Sequence, residues 1–133
     1  MICADTTFLI DLWRNREVSG HPTVLLLQGS AGERFAVPAH AAGEFLEGAV
    51  GVSEERFQEA QVFLGLFDIG EAGLETAKQY ARIVSDLRRR GHLQGMSKPD
   101  VWMAAWAAEH GASLVTRNHR HFEQISGLRL ISY

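Results

Sequence analysis

Asp5, Glu44, Asp100 and Asn118 are the oxygen-bearing side chains of this sequence best suited to chemistry. They lie far apart along the chain, so only a fold can gather them. Hard divalent cations such as Mg²⁺ and Mn²⁺ take oxygen ligands, commonly one or two carboxylates, with water and substrate phosphate completing the shell. Such ions activate a water and steady the leaving oxygen when a phosphodiester is cut. Three carboxylates and a neutral amide oxygen suit that work. Each residue also has an ordinary structural use. Asp5 is placed to cap a following helix. Ser97-Lys-Pro-Asp100 has the form of a capping box. Glu44 shares a helix with Glu47, away from the Phe45/Leu46 side, where a solvated face accounts for both. Asn118 suits a turn after a strand. Spacing alone leaves both readings open.

The elements that must position these groups follow from hydrophobic pattern. Met1 to Asp5 reads as a short strand ending in a carboxylate. Thr6 and Thr7 offer capping hydroxyls to a helix whose Phe8, Leu9, Leu12 and Trp13 form one stripe. A second helix covers Pro22 to Gln28 and stops in Gly29-Ser-Ala-Gly32. Arg34 to Pro38 reads as a strand, and helix follows from Ala39 to about Ala49. Ser53 caps the next helix. Leu66 to Ile69 forms a third strand. Glu71 to Arg90 reads as a helix with Leu74, Ala77, Ala81, Val84 and Leu87 in register, and Gly91 ends it. Ser97 to Asp100 opens an apolar helix running through Glu109, with Gly111 as its stop. Ala112 to Thr116 and Leu128 to Ile131 complete the strands. This alternation predicts an α/β fold with a mostly parallel sheet. Ligands of such sheets gather beyond the carboxyl ends of strands, where Asp5 and Asn118 both fall.

The bulk properties fit a single domain spanning 1–133, with 46% hydrophobic residues and a net charge of −3. That sign excludes a protein that coats nucleic acid, but not an enzyme that acts on it. No apolar run is long enough to span a bilayer. Asp5 and Asp11 interrupt the opening apolar stretch, so a signal peptide is not expected. The one cysteine, Cys3, predicts a buried core residue and a reduced, cytoplasmic setting. Dinucleotide, P-loop and serine-hydrolase motifs are absent, as are the acidic patterns of haloacid-dehalogenase phosphatases and two-component receivers. Arg88-Arg-Arg90 suits a helix C-terminus. Arg117, His119, Arg120 and His121 flank Asn118, where they suit either an exposed loop or contacts to phosphates. His119 and His121 lack a third ligand for zinc. Trp102 and Trp106 read as core or dimer contacts more readily than as a base-stacking platform.

Four blocks, in order, carry a family resemblance. They are Asp5-Thr-Thr-Phe-Leu-Ile-Asp-Leu, Val37-Pro-Ala39 through Glu44-Phe-Leu-Glu-Gly48, Asp100-Val-Trp-Met-Ala-Ala-Trp-Ala107, and Leu114-Val-Thr-Arg-Asn118-His-Arg-His-Phe122. With the closing Ile125-Ser-Gly-Leu-Arg-Leu, they resemble the PIN-domain family and its VapC-like toxin ribonucleases from type II toxin–antitoxin systems. The resemblance covers nearly the whole chain. It implies a PIN-like three-layer α/β/α sandwich with Asp5, Glu44 and Asp100 as metal ligands. Asn118 falls at a position where many relatives carry Asp, and Thr116 lines the same site. The resemblance further implies Mg²⁺ or Mn²⁺, an RNA substrate, a homodimer and a cognate antitoxin protein that blocks the site. The reading from another class is a PIN-fold binding or regulatory module without catalysis, and retention of three carboxylates speaks against it. A small-molecule phosphatase would instead turn over phosphate esters and ignore RNA.

Overall fold

The computed structural model describes residues 1–133. Five strands, β1 (Ile2–Ala4), β2 (Phe35–Pro38), β3 (Asp68–Gly70), β4 (Ser113–Val115) and β5 (Leu130–Ile131), form one sheet in the order β3-β2-β1-β4-β5, and every pair is parallel. Parallel neighbours need crossovers, supplied by α1 (Thr6–Asn15), α2 (Pro22–Gly29), α3 (Ala39–Val50), α4 (Glu54–Leu64), α5 (Leu74–Arg89), α6 (Lys98–Glu109) and α7 (His119–Phe122). The chain leaves β1 toward one edge of the sheet and leaves β4 toward the other. Right-handed crossovers then put helices on both faces, giving the expected α/β/α sandwich. β1 and β4 are the adjacent strands whose connections run to opposite edges, and the crevice of such a sheet lies beyond their carboxyl ends.

Burial on both faces explains the composition of the central strands. Ile2, Cys3 and Ala4 are all buried, as are Leu114 and Val115. The Cys3 thiol touches Met103 Sδ at 3.8 Å, and burial pushes its pKa up, so it is a core residue as expected. Phe8, Leu9, Leu12 and Trp13 bury the inner stripe of α1, and Phe63 meets Trp13 edge-on at 5.0 Å. The stripe of α1 is therefore spent inside the chain. The large exposed apolar residues include Val50, Val52, Val62, Leu66 and Leu74.

Four sequence expectations shift. Asp5, not Thr6 or Thr7, caps α1, and both threonines lie inside the helix. The third strand is displaced to Asp68–Gly70 by its register with Ala36, Val37 and Pro38, which leaves Leu66 73% exposed. Helix α5 starts at Leu74, because Glu71 lies in the link after β3, where its carbonyl accepts the Trp106 Nε1–H at 3.1 Å. The face of α5 turned inward carries Thr76, Tyr80, Ile83, Val84 and Leu87, so Leu74 and Ala81 point out.

Gly70 is where this packing is tightest. A Cβ there would overlap the indole of Trp106, which is 3% exposed and held by its bond to Glu71. Gly70→Ala is expected to destabilise the fold by roughly 1–3 kcal/mol, the usual cost of overpacking. Urea unfolding of the two proteins measures it, and an unchanged midpoint would show that the indole can move.

Candidate functional site

Asp5 stands directly after β1 and is 6% exposed. Its Oδ1 accepts the Phe8 N–H at 2.6 Å, so the capping role is real. That role fixes the carboxylate at the strand end without neutralising it. Burial pushes its pKa up. The Thr116 hydroxyl and the Phe8 amide hold it down, while the charges of Asp100 and Asp11 push it up again. Thr116, fully buried after β4, also accepts the Asn118 N–H at 3.0 Å.

Glu44 is exposed on α3, and its Oε2 accepts from Thr6 Oγ1 at 3.3 Å, which ties α3 to the start of α1. Glu47 is exposed on the same helix. Asp100 lies in the first turn of α6, where Ser97 Oγ accepts its N–H at 3.3 Å. Only that half of the expected capping box forms. The Asp100 carboxylate turns instead to His121, whose Nε2 lies 2.8 Å from Oδ2. Asn118 heads α7 with an exposed side chain that caps nothing. Its backbone serves the turn, as the structural reading anticipated.

Two groups at this end of the sheet carried no clear signal in the sequence. His40 sits one turn before Glu44, and its buried Nε2 has no hydrogen-bond partner. Burial pushes its pKa down, against the pull of Glu44, the Pro99 carbonyl and Asp100. The (i, i+4) spacing of His40 and Glu44 is the hint that was available. Asp11, read in the sequence only as an interruption, accepts from the Tyr133 hydroxyl at 2.8 Å and pairs with Arg117 at 3.0 Å. The other arginines divide by role. Arg89 and Arg90 pair with Asp86, whereas Arg120 makes no ion pair and shares a cleft with Asn118, His121 and the loop at Gly91–Met96. Trp102 stacks on Tyr80 at 4.3 Å, and Trp106 is core.

The donor set fits a hard divalent cation by its chemistry. All its members are oxygens, and the pKa of Asp5 is raised by burial first and then by the charges of Asp100 and Asp11, a cost that a bound cation relieves. No three carboxylates or imidazoles converge on one point. An ion held by one or two of these carboxylates would complete its shell with water and phosphate.

Comparisons with known proteins agree with this architecture. Residues 2–128 match the family described as PIN domain. The chain is 39% identical over 67 residues to Ribonuclease VapC1 of Rickettsia felis, a match spanning 50% of this chain and 48% of that protein. It is 29% identical over 133 residues to Ribonuclease VapC1 of Methanocaldococcus jannaschii, covering 99% of this chain and 86% of that one. Among solved structures, VapBC2 from Rickettsia felis bound to a promoter DNA fragment superposes with a TM-score of 0.85 at 22% identity, over 100% of this chain and 99% of that chain. No helix is long and apolar enough to cross a membrane.

The raised pKa of Asp5 has a signed consequence for stability. The folded chain binds this proton more tightly than the unfolded chain does, so ionised Asp5 costs stability at neutral pH. The cost is relieved as pH falls through the raised value and is gone below the unfolded one. Asp5→Asn keeps an oxygen for the Phe8 amide and removes the charge. Without divalent ions it is expected to melt a few degrees above wild type at pH 7, with the gap closing below pH 3.8, the ordinary carboxylate value. Thermal circular dichroism in EDTA checks this, and equal melting at pH 7 would show the charge to be fully compensated.

Proposed function

Because the chain belongs to the PIN-domain family, we propose that it is a divalent-metal-dependent endoribonuclease, the toxin of a toxin–antitoxin pair, with Asp5, Glu44 and Asp100 as metal ligands. The observation that carries this reading is the buried Asp5 carboxylate at the crevice between β1 and β4, pressed by Asp100 and Asp11. The two relatives named Ribonuclease VapC1 support RNA as the substrate. Bound Mg²⁺ or Mn²⁺ supplies Lewis acidity toward the scissile phosphodiester.

The chain's own residues supply position and charge. The Phe8 amide and the Thr116 hydroxyl hold Asp5 in one orientation. Thr6 orients Glu44. Arg120, an unpaired cation beside Asn118, is available to an RNA phosphate. Asn118 stands at the fourth ligand position with an amide oxygen that accepts from metal-bound water. It lacks the Coulomb attraction of a carboxylate, so a second ion binds weakly.

An antitoxin partner is supported by the VapBC complex that shares this fold. A groove between α1, α3 and α4 is lined by Ile10, Trp13, Phe45 and Val52, with Glu44 and the cations Arg14 and Arg56 among its polar groups. An apolar helix lying there places a basic side chain over the acidic site. The same reading has the 133 residues acting as one nuclease domain, forming a homodimer in a reducing cytoplasm.

Asp100→Asn and Asp5→Asn are each expected to reduce RNA cleavage to background while the fold is retained, and EDTA is expected to do the same to wild type. Gel assays of the purified proteins on RNA check this. Cleavage that persists in excess EDTA, with contaminating nuclease excluded, would overturn the metal reading.

For the fourth position, Asn118→Asp is expected to lower the Mg²⁺ or Mn²⁺ concentration needed for half-maximal cleavage. Asn118→Ala is expected to keep part of the activity, in contrast to Asp100→Ala. A metal titration of the cleavage rate measures all three. An unmoved midpoint in Asn118→Asp together with full activity in Asn118→Ala would leave Asn118 as a turn residue only.

A further inference from the structure

We propose that His121 is a positioning residue that fixes the Asp100 carboxylate for cation binding, through the bond from its Nε2–H to Asp100 Oδ2 at 2.8 Å. The inference rests on the proposed role of Asp100 as a metal ligand.

The Asp100 backbone is fixed, but nothing in its own helix fixes its side chain. Ser97 takes the Asp100 amide and leaves both carboxylate oxygens alone. The Asp100 side chain is 39% exposed, whereas His121 is only 20% exposed. His121 is thus the better anchored of the two. It is also the only side chain that reaches the carboxylate, and it leaves Oδ1 without a hydrogen-bond partner. A ligand carboxylate whose far oxygen is tied loses rotamer freedom before the ion arrives, and such outer contacts carry a substantial part of metal affinity.

The anchoring of His121 can be traced. Its ring meets Phe122 edge-on at 5.3 Å, and Phe122 is 2% exposed. The turn into α7 is closed by the Asn118 N–H on Thr116 Oγ1. Thr116 is also the hydroxyl that steadies Asp5. One short segment, 116–121, therefore governs the orientation of two carboxylates that reach the site from different elements. His119 cannot substitute, because it is 46% exposed and faces Glu123.

The test uses Mn²⁺ alone as the probe. The electron paramagnetic resonance signal of free Mn²⁺ is titrated with the intact chain in the absence of RNA. His121→Phe keeps the ring against Phe122 and removes the donor. It is expected to bind Mn²⁺ about 10-fold more weakly or worse, with an unchanged melting temperature and an unchanged KM for RNA at saturating metal. His121→Gln returns an N–H at a similar reach and is expected to bind close to wild type. His121→Asn, too short to reach Asp100, should match His121→Phe and stands in for it if the phenylalanine protein does not fold. Wild-type Mn²⁺ affinity in His121→Phe and His121→Asn would overturn the inference. Tighter binding would also overturn it, since the imidazole would then compete with the ion. So would a raised KM with unchanged Mn²⁺ affinity, which would make His121 an RNA contact. Asp100→Asn is the control. If it binds Mn²⁺ as wild type does, the ligand reading of Asp100 fails and takes this inference with it. If it alone loses binding, only the role of His121 fails.

Discussion

A carboxylate held out of water at the end of the central strand is the constraint around which this structure is arranged. Asp5 starts α1 by accepting the Phe8 amide, and it does so at 6% exposure with Asp100 and Asp11 acting on it. An N-cap serine would start the helix without the buried charge. The carboxylate is therefore more than local structure requires, and its cost falls on the stability of the free chain. Burial and the charges of Asp100 and Asp11 raise its pKa, and the Thr116 hydroxyl and the Phe8 amide oppose them. Thr116 lies beside it, and Arg117 and Tyr133 restrain Asp11.

The surrounding groups are joined across long stretches of chain by single side-chain bonds. Thr6 reaches Glu44, His121 reaches Asp100, and Tyr133 reaches Asp11. Topology brings these pairs to the same end of the sheet, where the connections from β1 and β4 run to opposite edges. Side-chain bonds then set their orientation. This division of labour brings residues from α1, α3, α6 and α7 to one end of the sheet while the core beneath them stays apolar.

The central architecture was legible because strands buried on both faces must be continuous apolar runs, as Ile2–Ala4 and Ser113–Val115 nearly are. The edges were harder to read. β3 takes its register from β2, so its start moved past Leu66, and a helix read from Glu71 gave way to the bond between Trp106 and the Glu71 carbonyl. The inward face of α5 is set by contact with α6, which selects Tyr80 and Ile83 over Leu74 and Ala81. In the candidate site, Asp5 and Asp100 were visible as carboxylates at element starts; the capping alternative holds for Asp5, whereas at Asp100 only the bond from its amide to Ser97 forms. What no local pattern encodes is which partner a side chain finds. His121 suited either an exposed loop or a phosphate contact, Asp11 read as an interruption, and His40 carried only its spacing to Glu44. These contacts span 21 to 122 residues of chain and exist only once the sheet is closed.

The placement of Cys3 has a practical side. The sequence holds one cysteine, and it lies in the middle strand at 0% exposure between β2 and β4. A thiol reagent cannot reach it while the sheet is intact, and no second thiol reacts in its place. Alkylation kinetics in mild denaturant would thus report the opening of the central sheet itself and not the fraying of a loop. The native chain carries its own hydrogen-exchange-like reporter, readable by mass as a single adduct.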